Sequence, residues 1–104
     1  MALAITDNNF DSLLAQGKPL MVDFWATWCG PCKKVGPYVE ELAAEYADRA
    51  VIGKVDVDEN MELASRFGVR NIPTIVFIKD GQVVDKQVGA APKATLEAKL
   101  QAIL

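Results

Sequence analysis

Trp25-Ala26-Thr27-Trp28-Cys29-Gly30-Pro31-Cys32-Lys33 contains both cysteines of the 104-residue chain. It continues an apolar run, Leu20 to Trp25, and opens what the pattern predicts to be the longest helix. A reactive pair therefore stands at a strand-to-helix junction. Pro31 suits the first position of a helix, where its missing N–H would have had no intrahelical partner. Cys29 then precedes the helix, facing unpaired amide N–H groups and the positive end of the macrodipole. That location favours an anionic thiolate: a free cysteine pKa near ~8.5 falls to roughly 3.5–7.5 in such sites. Cys32 follows at i+3, on the same face and within reach of a disulfide. This spacing allows thiol–disulfide exchange, in which Cys29 attacks a partner disulfide and Cys32 resolves the mixed disulfide. The plainer readings are a structural bridge, half of a metal site, or two core cysteines. The chain has no histidine, so a closed zinc site of about four ligands would have to draw on carboxylates. A bridge closing so small a loop would also stabilise a fold poorly.

Working outward, 104 residues predict one domain with a real core, and 51% hydrophobic with 24% charged residues is a globular balance. A net charge of −3 argues against a nucleic-acid footprint, and no apolar span is long enough for a membrane. Without histidine, Ser–His–Asp and Cys–His mechanisms are excluded. The first seven residues lack the basic start and longer apolar centre of a signal peptide, so a cytoplasmic, reducing setting is expected.

Residues 3–5 read weakly as a strand. Thr6 or Asp7 can cap a first helix whose face is Phe10, Leu13 and Leu14, with Gly17 ending it. Leu20 to Trp25 reads as a strand covered on both faces, interrupted by Asp23. A buried carboxylate is costly unless paired or protonated. Asp23 therefore either faces a cleft or takes a hydrogen bond from a neighbour, or it is a proton carrier for Cys32 with its pKa raised by desolvation. Residues 32–46 form a helix with Val35, Val39, Leu42, Ala43 and Tyr46 on one face, and Pro37 predicts a kink. Residues 51–57 read as a strand with Lys54 in its middle. Residues 58–60 offer caps, and Met61, Ala64 and Phe67 mark a short helix closed by Gly68. Pro73 is permitted at the start of the next strand, 74–79. Asp80-Gly81 predicts a hairpin, with residues 82–88 returning antiparallel and Gly89 turning the chain. Pro92 opens a last helix lined by Leu96, Leu100 and Ile103. The order calls for an α/β fold, a mixed central sheet with helices on both faces and the cysteine loop at the strand ends where α/β sites occur.

W-C-G-P-C-K, preceded by V-D-F-W-A and followed by N-I-P-T, resembles the thioredoxin family, and the likeness runs from about Leu3 to the C-terminus. The resemblance implies a thioredoxin fold, a five-stranded mixed sheet with four helices, in a single domain over residues 1–104. It implies a thiol–disulfide oxidoreductase that reduces protein disulfides, with Cys29 the nucleophile, Cys32 the resolving thiol and Asp23 the proton carrier. Lys54, otherwise an exposed strand lysine, is implied to be the cation that tunes Asp23. Trp25 supports the loop, and Pro37 is shared with the family. Pro73 is implied to be cis and to lie against the cysteines. Trp28, Gly30, Pro31, Ile72, Pro73, Val88, Gly89 and Ala90 are implied to form a flat docking surface for clients. No cofactor or metal is expected to be bound. Thioredoxin reductase, holding its own flavin, is the expected electron source, disulfide-containing proteins are the expected clients, and a monomer is the expected state. Two rival classes remain. Oxidases and isomerases on this fold usually place a histidine between the cysteines, where this chain has Gly30-Pro31. A non-enzymatic binding subunit would keep its activity without the cysteines.

Overall fold

The computed structural model describes residues 1–104. Strand β2 (Leu20–Trp25) is the centre of a five-stranded sheet because almost every residue in it is apolar. On one side it pairs in parallel with β3 (Val51–Asp56), which in turn carries β1 (Leu3–Ala4). On the other it pairs antiparallel with β4 (Thr74–Lys79), followed by β5 (Gln82–Val88), giving the order β1-β3-β2-β4-β5. Four helices complete the chain: α1 (Phe10–Leu14), α2 (Gly30–Glu45), α3 (Met61–Arg66) and α4 (Lys93–Gln101). This is the mixed five-stranded, four-helix architecture expected from the sequence.

The period-two alternation of β2 divides the interior. Leu20, Val22 and Phe24 point to one face, where they meet Phe10 and Leu13 of α1 and Leu63 of α3. Met21 points to the other face, with Ile52, Ile75 and Phe77, and is covered by α2 and α4 through Val35, Val39, Leu42, Leu96 and Leu100. The same alternation sends Asp23 and Trp25 to the α2 side. Lys54, two residues after Ile52, is directed to that side as well.

The connections follow local chemistry. Asp80 and Gly81 both have positive φ, 53° and 76°, the backbone that a two-residue hairpin with the right twist requires. The close packing of β1 on β3 requires Gly53: a Cβ there would stand 2.5 Å from Ile5 Cδ1 and 2.7 Å from the Leu3 carbonyl oxygen.

Several expectations need correction. The long helix begins at Gly30, so Pro31 is its second residue, and it extends to Glu45, with Pro37 inside it and Tyr46 as its C-cap. Strand β3 ends at Asp56, one residue early. Asn9 precedes α1, while Thr6 closes the turn before it by accepting the Asn9 N–H on its hydroxyl. Asp7 caps a different helix: its Oδ1 accepts the Leu63 N–H at 2.9 Å, at the start of α3. Asn60 reciprocates, its Oδ1 accepting the Asp7 N–H at 2.9 Å. With that turn fastened to the start of the chain, Leu63 faces inward and Met61 faces solvent, so the buried stripe of α3 is not the one its spacing suggested.

Candidate active site

Strand β2 ends at Trp25, and after three intervening residues the chain reaches Cys29, which precedes α2. Cys29 is the N-cap, with extended backbone (φ −88°, ψ 111°). Its Sγ accepts the Cys32 N–H at 3.2 Å, so a sulfur fills the capping role usually taken by an oxygen. The Cys32 amide and the positive end of the α2 dipole therefore face Cys29, where negative charge on sulfur is stabilised. Cys29 and Cys32 form a disulfide, with Cα atoms 5.3 Å apart. Each is only 4% exposed, packed with Ala26 against Trp25, Val57 and Ile72.

A second segment closes over the sulfurs. The carbonyl oxygen of Ile72 lies 3.8 Å from Cys29 Sγ. The Ile72–Pro73 bond is cis, as the resemblance implied. The Pro73 ring is buried, and its carbonyl accepts the Gly89 N–H at 2.8 Å, which brings the end of β5 beside the cysteine loop. Gly89 turns there with φ 88°. Trp28 is 68% exposed and stands at the rim, its Nε1 donating to Asp58 Oδ2 at 2.8 Å. Gly30, Pro31, Val88 and Ala90 are exposed, and Ile72 and Gly89 are half-buried. Seven of the eight residues read as a docking surface therefore reach the surface, and Pro73 supports them from below.

Asp23 sits beneath the junction with no exposed surface, and no protein group donates a hydrogen bond to either oxygen. Burial pushes its pKa from 3.8 up to about 7, the nearby Lys54 ammonium pulls it down, and Glu40 pushes it up. Lys54 is the residue paired with Asp23 across the parallel ladder. Its Nζ lies 5.0 Å over the Trp25 ring and 3.8 Å from Glu40 Oε2. It crosses close to Gly36, where a Cβ would stand 3.3 Å from Nζ. Trp25, Cys32, Gly36, Pro37, Glu40 and Lys54 border a cleft of about 600 Å³ that opens beside the resolving position.

Two participants were missed in the sequence. Asp58 looked like a helix cap, but its side chain holds Trp28 from 30 residues away. Glu40 carried no local signal, because its partners Ala2 and Lys54 belong to other elements. No group of three or more Cys, Asp or Glu is arranged to hold a metal ion, and no helix is long and apolar enough to cross a membrane.

The thioredoxin family model matches residues 1–102. Thioredoxin 1 of Synechococcus elongatus is 50% identical over 97 residues, covering 92% of this chain and 91% of that protein. A thioredoxin of Staphylococcus aureus is 55% identical over 92 residues, covering 88% of each. A thioredoxin of Alicyclobacillus acidocaldarius is 44% identical over 102 residues, covering 98% of this chain and 97% of that protein.

Proposed function

This chain belongs to the thioredoxin family and is a thiol–disulfide oxidoreductase, and from that premise we propose that it works as a reductase of protein disulfides, with Cys29 as nucleophile and Cys32 as resolving thiol. The observation that carries the assignment of roles is the N-cap bond from the Cys32 N–H to Cys29 Sγ. Of the two sulfurs, Cys29 receives the helix amide, so Cys29 is the one whose thiolate is stabilised in the reduced protein.

In the first step the Cys29 thiolate attacks one sulfur of a client disulfide, and the other client sulfur leaves as a thiolate and takes up a proton. Cys32 then loses its proton and attacks Cys29 Sγ. The Cys29–Cys32 disulfide forms and the second client thiol is released. The client gains two electrons and two protons, and the chain is left oxidised. Asp23 is the proposed acceptor of the Cys32 proton. A carboxyl group with a pKa of about 7 accepts and returns protons at neutral pH, where an ordinary aspartate would stay ionised. Lys54 opposes the desolvation and keeps that value from rising further.

Clients dock on the rim formed by Trp28, Gly30, Pro31, Ile72, Val88, Gly89 and Ala90. An extended segment reaching Cys29 passes over the backbone of Ile72, whose carbonyl lies beside the sulfur. A shallow rim suits many clients better than a deep pocket would. The chain works as a monomer, without a bound cofactor, in a cytoplasmic setting, and thioredoxin reductase returns it to the dithiol. Gly30-Pro31 between the cysteines, in a chain without histidine, separates this reading from an oxidase or isomerase.

Single-cysteine variants test the roles. The Cys32→Ser chain, mixed with a two-chain protein held by disulfides, is expected to accumulate a covalent mixed disulfide on Cys29. The Cys29→Ser chain is expected to form none. A stable adduct through Cys32, or reduction of the substrate by the double serine variant, would contradict the assignment.

A further inference from the structure

Glu40 is not needed for the exchange chemistry, yet it joins three parts of the molecule. Its Oε1 accepts the Ala2 N–H at 2.5 Å, tying α2 to the segment that leads into β1. Its Oε2 stands 3.8 Å from Lys54 Nζ. The pair forms a partition between two clefts. One, of about 600 Å³, is bordered by Cys32 and Gly36. The other, of about 270 Å³, is bordered by Ala2, Asp56 and Asn60.

The Lys54 ammonium is thus held by two attractors in the cleft, the Glu40 carboxylate and the Trp25 ring face. Asp23 lies opposite Lys54 in the ladder, yet it takes part in none of the ion pairs. The charged groups that act on Asp23 are Lys54 from β3 and Glu40 from α2. Strand β4 presents only Ile75 opposite it, and Asp56 lies at the far end of β3, level with Trp25. Cys29 and Cys32 do not titrate while bonded to each other. Moving an ammonium from the half-open cleft into the core costs desolvation, and Glu40 adds an attraction in the opposite direction.

We propose that Glu40 is a positioning residue: fixed by the N-terminal segment, it holds the Lys54 ammonium in the cleft and off the Asp23 carboxylate. Asp23 then remains an unpaired acid that exchanges its proton at neutral pH. With Glu40 uncharged, Lys54 turns inward, pairs with Asp23 and keeps it ionised. The inference rests on the reading of Asp23 as the proton carrier for its consequence, but not for its test.

The test follows the Asp23 carboxyl by ¹³C NMR through a pH titration of the oxidised protein. Glu40→Gln keeps an acceptor for the Ala2 N–H and removes the charge. The Asp23 midpoint is expected to fall by about one pH unit. In a Lys54→Met background the same substitution is expected to lower it clearly less, because only the charge of Glu40 itself is then lost. No shift in the first case, or equal shifts in both backgrounds, would overturn the inference. The rate at which Cys32 resolves a mixed disulfide, followed over the same pH range, tests the proton-carrier reading separately. If the Asp23 midpoint moves and the rate profile does not, Glu40 keeps its positioning role and the carrier reading falls.

Discussion

With no exposed surface and no hydrogen bond to either oxygen, the Asp23 carboxyl resists ionisation in the folded chain. Its pKa is about 7 when folded and 3.8 otherwise, so between those values the folded state holds a proton that the unfolded state has lost. Stability therefore falls as pH rises through this window and is lowest above about 7. A difference from 3.8 to about 7 corresponds to about 4 kcal/mol. Asp23→Asn removes the dependence. Urea unfolding from pH 4 to pH 9 is expected to show the variant gaining on the wild type by up to about 4 kcal/mol as the pH rises. Parallel stability curves would contradict the account. The sequence showed Asp23 as an anomaly in an apolar run but left two readings open. The surroundings of this carboxylate are set non-locally: the partner strand brings Lys54 alongside, and α2 covers the face. Asp58 was harder still. Nothing near it in the chain indicates that its carboxylate accepts the Trp28 indole N–H.

At the scale of elements, α2 and α3 draw on different sources for their caps. Helix α2 uses the sulfur of its own N-cap residue. Helix α3 has no cap from Asn60, the residue that precedes it, and borrows the carboxylate of Asp7 from 56 residues away. The reciprocal bond from the Asp7 N–H to Asn60 Oδ1 makes the two segments one unit. Asp7→Ala is expected to cost about 1 kcal/mol of stability. Amide exchange should accelerate chiefly in α3, and uniform acceleration across the sheet would argue against a local cap. The boundaries of β2, β4 and β5 and the inner face of α4 were legible because their signals are local: continuous apolar runs, Asp80-Gly81 at the hairpin, and Leu96 and Leu100 at helical spacing, although α4 begins at Lys93, with Pro92 as its N-cap and not its first residue. The face of α3 was not, since a six-residue helix offers too few positions for periodicity to outweigh a tertiary anchor.

Across the whole molecule, two hydrophobic layers hold a sheet whose central strand ends at the disulfide. The cysteine pair is fixed from three directions. β2 delivers it, α2 supplies the amide, and the 72–73 segment lies against it. The architecture was readable because each unit announced itself in order and a strand–helix–strand unit has one usual hand. The contacts of Glu40 with Ala2 and Lys54 were not readable, because they join parts of the chain far apart in sequence. All of this geometry serves one claim, that the dithiol form gives its electrons to other disulfides. The reduction potential of the Cys29–Cys32 pair tests it most directly. The protein would be equilibrated in graded ratios of reduced and oxidised dithiothreitol and its free thiols counted. The account predicts a potential well below that of the glutathione couple, so that the chain reduces clients and depends on a dedicated enzyme for recharging. A potential at or above the glutathione couple would contradict it and place the chain among the oxidases and isomerases.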